Sequence, residues 1–445
     1  MTLEGAAGHH AGRAMHELVA RLFPLCRSIT GNGVRETLRL LGEVLALDVR
    51  EVPTGTPVFD WTVPREWNIR DAYVKDASGT RVIDFQASNL HVMSYSVPVS
   101  RTMPLAELRD HLHTLPGQPD LIPYRTSYYK ESWGFCLSHE QLAAMPDGEY
   151  EVCIDSSLRD GHLTYAEHVL PGRTDEEVLI SCHICHPSLA NDNLAGIAVA
   201  AFLANRLAAV ERRYTYRLLF APGTIGSITW LALRQQQASR IKHGLVLACA
   251  GDPGGLTYKR SRRGDAEIDR IVQHVLERSG RLHEIVEFSP YGYDERQFCS
   301  PGFNLPVGCL TRTPHGRYPE YHTSADNLGL VTPAALEDTL EVCWESLLLL
   351  ESNRRYENLN PYCEPQLGKR GLYGSTGGRS HTETTQMAML WVLSLSDGDH
   401  TLLDIAQRSG LPFSTVECAA SLLRGAGLLG GGDGGPGARG AGDEH

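Results

Sequence analysis

Four short polar clusters carry the residues that could do chemistry, and each follows a stretch that reads as a β-strand. The first runs from Ser181 to Gly196 and holds Cys182, His183, Cys185, His186 and Asp192. The second, Ala221 to Ser227, is built around Gly223, Thr224 and Gly226; the third ends at Asp252; the fourth, Tyr318 to Asn327, contains Glu320, Tyr321 and His322. Imidazole nitrogens and carboxylate oxygens are zinc ligands, and a carboxylate shared between two ions can hold them close together. A lone histidine or aspartate in a loop is usually a solvated group; four such clusters at successive strand ends make a metal site the better reading. The run Cys182 to His186 also fits the C-x-x-C-H pattern of covalent haem attachment. It ends an apolar strand and no basic, apolar export signal opens the chain, so haem is set aside.

The elements that must position these clusters alternate. Strands are predicted over 178–181, 216–221, 243–250 and 305–310, and helices over 194–210, 227–237, 268–278 and 334–351. Two amphipathic helices, 12–24 and 33–47, precede them. Such alternation builds a mostly parallel or mixed sheet sandwiched by helices, an α/β fold whose chemistry sits beyond the carboxyl ends of the strands. Residues 52–150 differ, with short strands, prolines and aromatics that read as an inserted small β-rich domain. Residues 382–429 read as three short helices with a turn at 409–414, a winged-helix-like domain, joined by a connecting segment, 356–381. The segment 430–445 is Gly-rich and reads as a disordered tail.

Several motifs carry a family resemblance: Asn191 to Gly196, Thr224 to Ser227, Asp294 to Gln297, Glu320 to Ser324 and Trp391 to Asp397. In these the chain resembles the zinc aminopeptidases, and within them a bacterial subgroup of aminopeptidase-like proteins with an inserted β domain and a C-terminal winged helix. The resemblance implies one or two zinc ions, with His183 and Asp252 on one, Asp192 bridging and His322 on the second. It implies residues 1–51 and 151–355 as the peptidase-like, metal-binding domain.

Three departures from the family pattern shape the functional expectation. The usual His-x-Asp becomes His183-Ile184-Cys185, which leaves His186 to take over as orienter or ligand. The general-base glutamate is replaced by Gly223, which cannot accept a proton, and a further ligand position is Thr224. Glu320, Glu295 and Asp294 are the carboxylates available to stand in, with a salt bridge to Arg296 or Arg317 as the plain alternative for Glu295. Tyr128, Tyr129, Trp133, Arg296 and Tyr321 are candidate substrate-wall residues.

Composition narrows the partners. Forty-two per cent apolar and 21% charged residues describe a globular chain, and a net charge of −12 disfavours nucleic acid or an anionic membrane as the main partner. The helix expected at 415–423 offers Glu417 and a single Arg424 where a DNA reader needs a basic frame. Eleven cysteines without a small-domain framework suit reduced thiols in the cytoplasm. The expectation is a zinc-dependent enzyme that hydrolyses or transfers the acyl group of an amide or peptide-type bond in a small, short peptide-like or biosynthetic substrate. The alternatives are a catalytically silent metal-binding scaffold and a DNA-binding regulator; a homo-oligomer is compatible with the sequence.

Overall fold

The computed structural model describes residues 4–372 and 383–432. It divides into two compact units, Met1–Ser346 and Leu347–His445.

The first unit is organised on an eight-stranded mixed sheet. Its strands are β1 (Asp48–Pro53), β2 (His162–Leu170), β3 (Glu177–His183), β4 (Thr215–Ala221), β5 (Ile241–Leu247), β6 (Leu256–Lys259), β7 (His283–Val286) and β8 (Val307–Thr311), in the spatial order β1-β2-β4-β3-β5-β8-β6-β7. The central run β4-β3-β5-β8 is parallel, while β1 and β2 pair antiparallel on one side and β6 meets β8 antiparallel on the other. Strand β3 is buried at every position, as a strand covered on both faces must be. The covering helices include α1 (Glu4–Leu22), α2 (Asn32–Leu41), α3 (Gly196–Ala208), α4 (Ile225–Leu233), α5 (Glu267–Arg278) and α7 (Pro333–Ser352), with a single turn, α6 (Glu295–Phe298), beside the site. Helix α3 is Ala-rich and lies close against the sheet, with nine of its thirteen residues buried.

Arg217 on β4 is buried in the sheet and binds two carboxylates. Its Nε donates to Glu177 Oε2 at 2.7 Å and one terminal nitrogen donates to Glu167 Oε1 at 2.8 Å, and the Trp230 indole N–H also donates to Glu167 Oε1 at 2.9 Å. Every charge in this group has a partner, which a buried ion group requires.

The insertion forms a four-stranded antiparallel sheet, in the order 81–84, 66–75, 149–159 and 99–104. Its last strand runs to Arg159, beyond the boundary at 150 expected from sequence. The far half of that strand is polar, Asp155-Ser156-Ser157, so it carries no apolar alternation to signal it. A small hairpin pairs Pro57–Val58 with Trp61–Thr62.

In the second unit three helices, α8 (Glu383–Leu395), α9 (Leu402–Ser409) and α10 (Phe413–Gly425), share one apolar core with Tyr356, Leu428 and Leu429. Helix α9 opens with a capping box between Thr401 and Asp404 and stops at Gly410, whose φ of 73° is the left-handed value that glycine adopts freely. A three-stranded sheet of β9 (Arg355–Asn358), β10 (Asp397–Thr401) and β11 (Leu429–Gly431) supplies the wing. Strand β9 lies almost wholly in what the sequence suggested was a connecting segment; it is four residues long, too short for periodicity to show. Residues 373–381 of that segment, residue 382 of the winged-helix span, and the Gly-rich tail from 433 onward lie outside the described residues.

Candidate metal centre

His183 is the last residue of β3, and its Nε2 lies 2.7 Å from Asp192 Oδ1. The other oxygen of the same carboxylate lies 3.0 Å from His322 Nε2 and 3.8 Å from His186 Nε2. Three imidazoles thus converge on one fully buried aspartate. Ligand atoms of His183, His186 and Asp192 all fall within 4.8 Å of one another.

The turn that carries Asp192 is fixed from two sides. Asp326 accepts the backbone N–H groups of Asn191 at 2.6 Å and Asp192 at 3.0 Å, one on each oxygen. The Asn191 side chain accepts from the N–H groups of Gly251 and Asp252 and donates to Asp252 Oδ2 at 3.0 Å. Asp252, expected from the resemblance as a ligand beside His183, is turned into this network. Its oxygens also accept from Thr313 Oγ1 at 2.6 Å, Thr313 N at 3.1 Å and Gly254 N at 2.9 Å. The reason is local: β5 stops at Leu247 rather than at 250, so Asp252 sits well along the following loop.

His322 and His186 are packed by aromatic rings. Tyr321 stacks on His322 with centroids 3.9 Å apart, and Tyr124 from the insertion meets His186 and His322 at 5.1 Å each. The insertion also pairs with the His322 loop through its backbone: Tyr124 N donates to His322 O at 2.7 Å and Ser324 N to Ile122 O at 2.9 Å. Tyr128 supports Tyr124 through a hydroxyl contact of 2.9 Å. Exposed Tyr129 pairs with Trp61, whereas Trp133 stacks on His111 at 3.5 Å inside the insertion and is not brought to the centre.

The electrostatics suit a cation. Burial pushes the His186 imidazole down to about 3, so it is neutral, with a lone pair to give. Burial also opposes ionisation of Asp192, but the surrounding imidazoles outweigh it and hold that carboxyl well below the usual range. Burial works likewise against the His183 cation, and the bond to Asp192 prevails and raises it. Three imidazoles around an ionised carboxylate, each able to turn a nitrogen lone pair to a cation, fit zinc. Cys185, in the place of the expected orienting carboxylate, does not serve His183: its Sγ lies 3.4 Å from His186 Nδ1 and donates to Gly223 O at 3.6 Å.

Gly223 leaves room that Asp294 occupies. A Cβ at residue 223 would stand 3.1 Å from His183 Cβ and 3.4 Å from Asp294 Oδ1. Ser227 donates to Asp294 Oδ1 at 3.1 Å, while Oδ2 is buried without a hydrogen-bond partner among the described residues. Burial raises this carboxyl to about 6. Glu295, also buried, forms an ion pair with Lys259 rather than with Arg296 or Arg317. Arg296 has a buried Nε without a hydrogen-bond partner among the described residues, and the half-buried Glu320 side chain makes no hydrogen bond or ion pair among them.

Sequence reasoning missed three neighbours of the centre. Tyr293 stacks on His183 with centroids 5.5 Å apart, and Cys249 Sγ lies 2.9 Å from the Tyr293 hydroxyl. Asp326 is the third, two residues beyond the Glu320 to Ser324 motif; only its place in the same polar cluster signalled it.

The mixed sheet with its covering helices is an aminopeptidase-like fold. The structure of a zinc aminopeptidase from Bacillus subtilis is similar at a TM-score of 0.57 and 12% identity, covering 77% of this chain and 94% of that one. That of a peptidase M28 precursor from Shewanella amazonensis is similar at 0.53 and 13%, covering 78% and 96%. Residues 16–353 match the family described as a domain of unknown function, DUF4910, and the chain belongs to that family; residues 354–431 match a winged helix-turn-helix family. A Clostridium acetobutylicum protein described as a polysaccharide biosynthesis protein with an aminopeptidase-like domain is 52% identical over 412 residues, 93% of this chain and 95% of that protein. A crystal structure from the same organism, named as a candidate peptidase, has a TM-score of 0.90 at 50% identity and covers 95% and 97%.

Proposed function

We propose that this protein is a zinc-dependent enzyme that cleaves or transfers an amide or peptide-type bond of a small biosynthetic substrate, with Asp294 as the general base. The observation that carries the reading is the pairing of a three-imidazole, one-carboxylate cluster with an unpartnered buried carboxylate oxygen in the room left by Gly223. The description of the 52%-identical relative supports a substrate from polysaccharide assembly.

His183, Asp192, His322 and His186 would hold the metal, which supplies Lewis acidity to a scissile carbonyl. The network of Asn191, Asp252 and Asp326 keeps the Asp192 carboxylate facing the imidazoles. Asp294 Oδ2, free of hydrogen bonds, takes the proton from the attacking water or amine and returns it to the leaving nitrogen. Ser227 holds the other oxygen and so orients the carboxylate. Tyr124 and Tyr321 flank His322, and with His186 behind Tyr124 they narrow the access of bulk water to the centre.

Elemental analysis of protein purified without added metal, together with His183→Ala and His322→Ala, tests the reading. About one or two zinc ions per chain, lost in the variants, are expected. Folded protein that holds no metal would overturn it in favour of a metal-free binding scaffold.

A further inference from the structure

A second concavity lies between helix α4, the segment joining α6 to β8, and the tip of the 57–62 hairpin. It encloses about 670 Å³, within the range of about 300–1,000 Å³ common for small-molecule sites. Its walls are of two kinds. Phe59, Trp61 and Phe303 offer aromatic surface, with Phe59 52% and Trp61 47% exposed. Asp60, between the two hairpin rings in the chain, and Gln235, Ser239, Gln297 and Ser300 bring polar side chains to the same lining. None of these five side chains makes a hydrogen bond or ion pair with any other described residue, although Gln297 and Ser300 are half-buried. Among the described residues that line it there is no lysine or arginine.

Those walls exclude two kinds of ligand. A hydrocarbon would cover Gln297 and Ser300 and leave their polar atoms without water or partner, at a cost of about 1–3 kcal/mol for each group. A phosphate or carboxylate would meet Asp60 with no cation to receive it. A neutral, hydroxylated ring satisfies both walls. Its C–H faces lie on aromatic rings, and its hydroxyls, each a donor and an acceptor, match amide, carboxylate and hydroxyl groups.

We propose that this pocket binds a neutral saccharide unit, and that the unit is the non-reacting part of the substrate cleaved at the metal centre. The second half rests on the amide-bond reading above; the first does not. The connection is structural. Gln297 stands on the same short turn as Glu295 and directly follows the Asp294 segment, while α4, which lines the pocket through Ile228 and Leu231, starts two residues after Gly223. On the other side the Trp61 ring lies 5.2 Å from Tyr129, and Tyr129 is 6.5 Å from Tyr128, which holds Tyr124. A run of packed aromatic rings therefore joins Trp61 to the ring that lies against the imidazoles.

The test is saturation-transfer NMR on the full-length protein with glucose, galactose, N-acetylglucosamine and N-acetylgalactosamine, each at tens of millimolar. Anilinonaphthalene sulfonate and inorganic phosphate serve as apolar and anionic comparators. At least one sugar is expected to bind, with affinity reduced about tenfold in Trp61→Ala and in Gln297→Leu. Binding should persist after chelator treatment, and both variants should keep the metal content and melting temperature of the parent. Absence of binding by all four sugars, affinity unchanged from the parent in both variants, or binding of the comparators alone would overturn the proposal. Sugar binding without metal or amide cleavage would leave the pocket standing and remove its link to the centre. Metal and amide cleavage without sugar binding would overturn the pocket and leave the amide-bond reading standing.

Discussion

At position 223 a glycine stands where a base would be expected, and the space is held by a carboxylate from elsewhere in the chain. Asp294→Asn is expected to lower turnover by about 10²–10⁴ while zinc content stays unchanged, because the amide preserves shape and cannot take a proton. The base must be ionised to act, and burial sets its carboxyl at about 6, so activity should fall as pH drops through that value; the variant should lack this acid limb. Gly223→Glu alone should hinder rather than help, since its Cβ would lie within 3.4 Å of Asp294 Oδ1 and two carboxylates would compete for one proton. Combined with Asp294→Ser, the same change should recover activity lost by Asp294→Ser alone, as an initial-rate assay would show. The defect at 223 was legible in the sequence, and Asp294 stood in the candidate pair. What distinguishes Asp294 from Glu295 and Glu320 was invisible there: Lys259 pairs with Glu295, and the Glu320 side chain has no hydrogen-bond or ion-pair partner among the described residues. Cys249 and Tyr293 gave no signal either, since a buried thiol and a phenol look like core until their neighbours are known.

Among the elements, the strand ends did most to make the centre readable. Alternation placed β3 and the loop after it, and with them His183 and Asp192. It overran β5, which leaves Asp252 in the loop beyond and hydrogen-bonded to Asn191 and Thr313, because a strand's last residue is set by hydrogen bonding to neighbours that periodicity does not see. The loop now uses Asp252 to hold Asn191. Asp252→Ala should therefore weaken zinc binding by about 10–100-fold through the posture of Asp192, measured by competition with a chromophoric chelator. Inside the sheet, Arg217→Ala should cost about 3–5 kcal/mol in urea unfolding, because the buried Glu167 and Glu177 would keep only the longer contacts of Arg234.

For the whole molecule, acidity sets the terms. A net charge of −12, and a helix α10 bearing Glu417 with Arg424 near its end, give the winged-helix unit little with which to grip phosphates. Fluorescence anisotropy of a labelled random duplex is expected to show no salt-sensitive binding by the full chain. Among the described residues, no helix is long and apolar enough to cross a membrane. Within the first unit, the strap from Ile122 to Tyr124 binds the His322 loop by backbone hydrogen bonds and places a ring against two of the imidazoles. The centre is thus completed by a segment that folds with the insertion, not with the sheet. A chain that has formed its sheet but has not docked the insertion would have His183 in place and His322 unanchored, so the centre is complete only once the insertion has docked. The same dependence acts in descent: a lineage that trims away the insertion gives up the geometry of the centre with it, and the two must be inherited as one part.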